Sequence, residues 1–293
     1  MTTPTHASLR VLLVVPTLDR GGAEQMVVEL ARGMKRNGVA CRVVYFDGTG
    51  NLAKDIESAG ITVRRLNLPH KAWPALWRLR KEIVQFSPTL IHAHMPRALL
   101  WAALAGPRDV PLVYTEHNVQ ELYLLPAQVF LRLSLPRVHK VIAVSERVAE
   151  SFAQRWHVSQ GDVAIIHTAV PLGDLKAQGT PEQVRQRHGI PLNTPLVCAV
   201  GAVRPPKAYH LLVEAIDILR DRGHQVRALI VGSTKVVPAE ADRIRQLIRS
   251  SGLEGIVQLT GEVPNAYEYI CAADVLVVSS VQEGLPRVIL EAM

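Results

Sequence analysis

LRVLLVVPTLDRGGAEQMVVELARGMKRNG (residues 9–38) changes its period halfway along. Residues 9–16 form a nearly unbroken apolar run, the pattern of a strand covered on both faces. From there Ala23, Met26, Val27, Leu30, Ala31 and Met34 recur every three and four positions, one face of a helix, and Gly38 supplies the stop. Between strand and helix, TLDRGGAEQ places Gly21 and Gly22 at the helix N-terminus. Two glycines there let backbone N–H groups approach anionic oxygens; the alternative is a plain tight turn. Strand, turn and helix in this order are the first unit of a parallel α/β sheet.

The unit repeats along the whole chain. Further strands are expected at 40–46, 61–66, 89–94, 111–117, 140–145 and 163–168, with helical segments between them. A second series follows at 195–203, 226–232, 256–261 and 274–280, with helices at about 208–221, 239–250 and 264–272. The Gly- and Pro-bearing stretch VPLGDLKAQGTPEQ (170–183) reads as a linker between the two series. The prediction is two doubly wound α/β domains, 1–175 and 176–293, with ligands beyond the carboxyl ends of the strands, in a cleft between the domains.

Composition bounds the function. The chain has 293 residues, 48% of them hydrophobic, and no apolar run reaches the roughly 18 residues of a membrane span. The start is too short and lacks a small-residue cleavage site for a signal peptide. Cys41, Cys198 and Cys271 are far apart, odd in number and set in apolar stretches, so buried free thiols and a cytoplasmic protein are expected. The net charge is +7, and all of it lies in residues 1–178, which hold 21 Lys and Arg against 14 Asp and Glu; the remainder holds 12 of each. A basic half calls for an acidic partner: an anionic membrane at the inner face of the cell, a phosphorylated acceptor or nucleic acid. With only 5% aromatics and no binding motif, nucleic acid is the weakest of the three. HKAWPALWRLRKE (70–82) combines Trp73 and Trp77 with Arg78, Arg80 and Lys81, which fits either membrane contact or a surface helix with buried tryptophans.

Candidate site residues cluster at strand ends. YTEHN puts Glu116 and His117 at the end of the fifth strand, in a structural or a catalytic role. IHAH sets His92 and His94 on one strand face without a third metal ligand. In VGAVRPPKAYHLL, Lys207 and Arg204 bring fixed positive charge to the mouth of the second sheet, unless they are ordinary loop charges. No D-x-D pair occurs, so cations and a helix N-terminus, not a carboxylate-held metal, would carry a diphosphate. Glu283 and Glu291 flank Pro286, which suits a first helical position. They could hold sugar hydroxyls, act as an acid–base pair, or sit on a surface helix. The nicotinamide-type G-x-G-x-x-G is absent, which lowers the dehydrogenase alternative.

These pieces together resemble the retaining, nucleotide-sugar-dependent glycosyltransferases of family four, with the two-domain GT-B fold. EGLPRVILEAM matches that family's Glu–seven residues–Glu motif; VGAVRPPKAYHLLVEAI, LIVGS, VQLTGEVPN and AADVLVVSS stand in the family's order, as do PTLDRGGAEQ, IHAH, TEHN and VIAVSERV. The resemblance implies that Glu291 binds the ribose hydroxyls, that Glu283 with the backbone of Gly284 and Leu285 holds the donor sugar, and that Lys207 neutralises the leaving diphosphate. It places Gly21 and Gly22 near donor phosphates or acceptor, and His117 by the transferred sugar. It implies front-side transfer with retention, the leaving phosphate acting as base, to a glycan or lipid-linked acceptor in cell-envelope or exopolysaccharide synthesis. No cofactor is expected beyond the nucleotide sugar. Two departures stand out: the family's usual Arg after the glycine is Ala202 here, leaving Arg204 to compensate, and its Asn-Gly is replaced by Thr168 and Ala169. The family's second sheet continues past such a helix, so the resemblance implies a chain that stops short by roughly 60–90 residues, at about 30 per strand–helix unit. An inactive relative that binds nucleotide sugar or a partner chain is the alternative. Another GT-B enzyme, such as a sugar-nucleotide epimerase, fits the Glu–Glu and GGAE motifs less well.

Overall fold

The computed structural model describes residues 9–293 except 68–71, 120–123, 172 and 174; for 72, 73, 75 and 160 it describes the backbone alone. The chain divides into two compact units, 1–169 and 170–293.

The first unit is one parallel sheet of seven strands: β1 (Arg10–Thr17), β2 (Ala40–Asp47), β3 (Thr62–Arg65), β4 (Leu90–His94), β5 (Leu112–Glu116), β6 (Lys140–Ala143) and β7 (Val163–Ile165). They lie in the order β3-β2-β1-β4-β5-β6-β7, the doubly wound arrangement whose order reverses beside the first strand. Helices α1 (Gly22–Arg36), α2 (Ala53–Glu57), α3 (Ala72–Phe86), α4 (Pro96–Ala105), α5 (Leu125–Ser134) and α6 (Glu146–Trp156) make the connections. β1 is central, and Val11 through Val15 are all buried. Its odd residues pack with Val27, Val28 and Ala31 of α1, which is why the run has no polar alternation. Ser145 starts α6 by accepting the Val148 N–H, and His157 ends it in the left-handed region at φ 53°.

The second unit has four parallel strands, β8 (Leu196–Val200), β9 (Arg227–Val231), β10 (Val257–Gly261) and β11 (Val275–Leu276), in the order β10-β9-β8-β11. Its helices are α7 (Pro181–Arg187), α8 (Tyr209–Asp221), α9 (Pro238–Ser250), α10 (Tyr267–Ala272) and α11 (Arg287–Ala292). One sheet face packs Ala199, Ala228 and Ile230 against α8 and α9. The other packs Leu196, Cys198, Leu229 and Val231 with Val184 of α7 and Tyr269 of α10. Arg185 of α7 is buried and closes this side. Its Nη1 donates to the carbonyls of Pro191, Leu192 and Thr194, its Nε to that of Ala272, and its Nη2 meets Asp274 at 2.8 Å. The Leu196 N–H, and then Arg185, hold the Asp274 carboxyl below its ordinary value.

Four expectations are corrected. The end of the stretch taken as linker begins α7, because Thr180 and Gln183 form a reciprocal capping box around Pro181. The helix expected from 264 begins at 267. Pairing in the strand expected over 274–280 covers only Val275 and Leu276, after which the chain leaves β8 to run along the 201–207 loop. Of the three cysteines only Cys198 is buried; Cys41 is intermediate, and Cys271 is exposed on the open face of α10, away from buried Glu268, Tyr269 and Ala272. Residues 70 and 71 and the side chain of Trp73 lie outside the described residues, whereas Trp77 is 66% exposed. Among the described residues no helix is long and apolar enough to cross a membrane.

Candidate functional site

In each unit the candidate residues fall where parallel strands release their loops. In the first unit β1 runs into Gly21, the N-cap of α1, and Gly22, its first residue. Gly21 is extended, at φ −159°, so its conformation does not demand glycine. A Cβ would stand 2.3 Å from Glu24 Oε2, the end of a flexible side chain that can move aside. The Glu24 carboxylate thus folds back over the start of α1, where Thr17 Oγ1 donates to its Oε1 at 3.1 Å. Asp19 in the same loop accepts from the Thr49 and Gly50 N–H groups and the Thr49 hydroxyl, tying the loop after β1 to the loop after β2.

β4 and β5 bring three histidines together. The pairing of His94 with Thr115 across the strands puts His92 beside Thr115, Nε2 to Oγ1 2.7 Å, and His94 beside His117, Nδ1 to Nε2 3.0 Å. The His92 and His94 rings lie 4.3 Å apart, those of His94 and His117 5.3 Å. All three are buried, and burial makes the charged imidazolium unfavourable: His92 is pushed down to about 4, His117 to about 3, and His94 well below its ordinary value. They are neutral rings. His94 Nε2 is buried without a hydrogen-bond partner. A bare acceptor nitrogen is tolerated there better than an orphaned N–H. That favours the tautomer in which His94 donates through Nδ1 to His117 Nε2, so that His117 carries its own proton on Nδ1. Glu116, on the opposite strand face, is fully buried. It accepts from the Tyr114 hydroxyl at 2.9 Å and from the backbone N–H groups of His117 and Asn118 at 2.8 and 3.1 Å. It is therefore the group that shapes the turn carrying His117. Among the described residues no set of three His, Cys, Asp or Glu is arranged to hold a metal ion.

In the second unit the strand ends are glycines. Gly201 after β8 has φ 150°, Gly232 after β9 has φ 152°, and a Cβ on Gly232 would lie 2.1 Å from the Gly201 carbonyl oxygen. Only two bare backbones can pass this closely. The loop after Gly201 carries Ala202, Arg204 and Lys207. Ala208 closes it in the left-handed region at φ 45°, a strain of about 1–2 kcal/mol for a non-glycine residue. Tyr209 is buried next to it and donates from its hydroxyl to the Gly201 carbonyl at 2.9 Å. The chain after β11 runs alongside: Val281 N–H donates to the Pro206 carbonyl at 3.0 Å, and Ser279 Oγ to that of Lys207 at 2.7 Å. These contacts deliver Glu283 to Lys207, with Oε1 and Nζ 2.6 Å apart. Gly284 and Leu285 follow, half-buried, and lead into α11, on which Glu291 stands 3.6 Å from Arg287 one turn earlier. Arg204 is exposed.

The structure therefore brings Lys207 and Glu283 together as an ion pair, and places Gly284, Leu285 and Glu291 in line after them. It brings His117 to His94. Tyr209, Ser279 and Thr115 are members of the two sites that motif reading did not single out. Tyr209 opens α8 immediately after the Lys207 loop, which was a usable signal. Ser279 and Thr115 act only through contacts distant in sequence.

Comparison with known proteins gives a consistent picture. Residues 20–174 match the model described as Glycosyltransferase Family 4, and residues 194–293 match Glycosyl transferases group 1. TuaC of Bacillus subtilis, a glycosyltransferase assigned to teichuronic acid biosynthesis, is 30% identical over 215 residues, covering 70% of this chain and 51% of its own. The 2-deoxystreptamine glucosyltransferase of Streptomyces kanamyceticus is 26% identical over 303 aligned residues, covering 91% and 77%. The chain thus spans about half the length of the first of these relatives and about three quarters of the second. The crystal structure of Anabaena HepE with UDP and glucose superposes with a TM-score of 0.82 at 24% identity, over 97% of this chain and 78% of that one. At that identity the likeness concerns the fold, which is GT-B.

Proposed function

The chain belongs to glycosyltransferase family 4, and from that membership we propose that it moves a sugar from a nucleotide-sugar donor to a glycan or lipid-linked acceptor, with retention of configuration. The observation that carries this reading is the Lys207–Glu283 pair, held at 2.6 Å beside the bare backbone of Gly201. Departure of a nucleoside diphosphate builds negative charge on its oxygens and positive charge on the sugar. A fixed ammonium stabilises the first, and a carboxylate orients the sugar hydroxyls through charge-assisted hydrogen bonds. Glu291 takes the ribose hydroxyls, and the Gly284 and Leu285 backbone steadies the donor sugar. In the first unit Gly21 and Gly22 approach donor phosphates or acceptor, and His117 contacts the transferred sugar. There the neutral His117, with its proton on Nδ1, donates to a sugar oxygen and does not act as a base. The leaving phosphate accepts the acceptor's proton, and Lys207 supplies the neutralising charge without a metal ion. Synthesis of a cell-envelope or exported polysaccharide is the role that the teichuronic acid relative supports.

One observation favours a second reading, binding without turnover. Ala202 contributes no charge at the diphosphate loop, and Arg204 is exposed. Thermal stabilisation by a panel of nucleotide sugars, followed by donor consumption and the anomeric configuration of the product, separates the readings. Stabilisation without consumption supports the second, and no stabilisation by any nucleotide sugar refutes both.

A further inference from the structure

The excess positive charge of residues 1–178 has a location. Between β3 and α3 the first unit carries an open groove of about 1010 Å³. Arg64 and Arg65 enter it from β3, and Arg78 and Lys81 from α3. Two carboxylates also line it, but both have nearer counter-ions. Glu82 pairs with Arg42 at 2.8 Å and with Arg64 at 4.0 Å, and Asp47 pairs with Arg97 at 2.9 Å. Counting those partners, six cations face two carboxylates. Arg78 spends its Nη1 on neutral acceptors, the carbonyls of Leu66 and Asn67 at 2.6 and 2.7 Å, so it is held in place with its full charge.

Trp77 stands in the same groove with two thirds of its surface open and the Lys81 ammonium 5.7 Å from its ring centroid. Its flat face suits the C–H face of a sugar ring, and the cations suit carboxylate or phosphate substituents on that ring. Position supports the match. Asp47, Arg65, Leu66 and Asn67 lie at the carboxyl ends of β2 and β3, and all the strands are parallel. The groove therefore opens on the sheet edge from which the Gly21 and His117 loops emerge. Arg64, Arg65, Arg78 and Lys81 are all exposed along the groove, with the Trp77 ring between them, so a saccharide chain lying along it meets ring and cations together.

We propose that this groove binds an anionic saccharide, the extended part of an acidic glycan acceptor, with a sugar ring on Trp77 and its anionic groups on Arg65, Arg78 and Lys81. This names the acceptor class and rests on the reading that the chain is a glycosyltransferase whose first unit receives the acceptor. The test uses the full 293-residue chain and hexagalacturonate as probe, with maltohexaose as the neutral control and phosphatidylglycerol vesicles as a third arm. Hexagalacturonate should bind by calorimetry and change the tryptophan fluorescence, with affinity falling as salt rises. Maltohexaose should bind at least about tenfold more weakly. The pair Arg65→Glu and Lys81→Glu should weaken hexagalacturonate about tenfold or more, Arg65→Gln with Lys81→Gln should weaken it less, and Trp77→Ala should weaken both oligosaccharides. UDP affinity, measured on the same variants, should not change. Three results would overturn the proposal: no binding of hexagalacturonate, equal binding by the charge-reversed chain, or equal binding of maltohexaose. Charge-dependent vesicle binding without hexagalacturonate binding would also overturn it and assign the surface to anionic membrane. Loss of UDP and nucleotide-sugar binding by the unmutated chain would instead strike the glycosyltransferase reading beneath it.

Discussion

Glu283→Gln should strengthen the binding of a free nucleoside diphosphate while impairing sugar transfer. Glu283 and Lys207 stand 2.6 Å apart, and their side chains are only 24% and 14% exposed. A diphosphate that takes Lys207 as its counter-ion must compete with this carboxylate and approach it. Two unit charges about 6 Å apart, at an effective dielectric of about 20–40, repel by roughly 1–3 kcal/mol. The pair is partly open to solvent, so the lower part of that range applies, about 1–2 kcal/mol, or roughly 5- to 30-fold in affinity. Glutamine keeps the shape and a carbonyl acceptor but removes the charge, so UDP should bind more tightly by about that factor. Transfer from a nucleotide sugar should move the opposite way. A hydrogen bond to a charged group is worth roughly 1.5–3 kcal/mol, so the neutral amide should lose about tenfold or more in turnover. Calorimetry with UDP and steady-state transfer on the same two proteins read the two effects separately. Weaker UDP binding in Glu283→Gln, with circular dichroism unchanged, would refute the reasoning. It would mean that the carboxylate orders Lys207 for the diphosphate and does not compete for it.

Glu291→Ala should weaken nucleotide binding by roughly 1–3 kcal/mol in calorimetry, the scale for hydrogen bonds to a carboxylate; unchanged affinity would remove Glu291 from the ribose site. Gly232→Ala should destabilise the second unit by about 3 kcal/mol or more, because its Cβ meets the Gly201 carbonyl at 2.1 Å at a φ of 152°. All the tryptophans lie in residues 1–169, so that loss is read by circular dichroism in urea and by UDP affinity. The first unit should lose stability on acidification: His92 and His117 sit at about 4 and 3 when folded, against about 6.5 unfolded. The unfolded chain therefore takes up more protons as pH falls below 6.5, and stability present at neutral pH is lost toward pH 4, by up to about 1.4 kcal/mol per pH unit for each ring. Tryptophan fluorescence in urea from pH 7 to 4.5 measures it, and His92→Gln should flatten the dependence; an unchanged slope would mean that His92 does not titrate on unfolding.

The fold was legible because both sheets are parallel and covered on both faces. Every central strand then shows as an apolar run, and all eleven expected strands occur. What was lost lies at the second sheet's margins. α7 is short and begins inside a Pro- and Gly-bearing stretch, so composition argued for a linker while the Thr180–Gln183 capping box argued for a helix, and the box prevailed. In the run after Asp274 the paired residues end at Leu276; Val277 still donates to the Cys198 carbonyl and packs against the core, and beyond it the chain is held to the 201–207 loop and carries Glu283. Candidate residues could be listed from the sequence, but not the contacts between them. IHAH and TEHN each pointed to a strand end, yet the His94–His117 hydrogen bond depends on the register of β4 against β5, which neither motif encodes. Lys207 and Glu283 are likewise 76 positions apart, and only the crossing of two loop backbones makes them an ion pair.

The position of Arg204 follows from its neighbours. It precedes Pro205, and the residue before a proline is restricted to extended conformations; the backbone there has φ −152° and ψ 156°. Two prolines and a short helical turn then separate it from Lys207, and the strained Ala208 sends the chain into α8. That geometry turns Lys207 inward, where it is 14% exposed against Glu283, and leaves Arg204 exposed. Its carbonyl accepts the Lys207 N–H at 3.0 Å, but among the described residues no side-chain hydrogen bond or ion pair links it to Lys207 or Glu283. Its charge still reaches the Tyr209 hydroxyl that donates to Gly201, but Lys207 is the cation paired with Glu283. With that charge already matched by Glu283, nucleotide affinity in this unit should depend on how readily the pair opens, more than on the total charge of the loop.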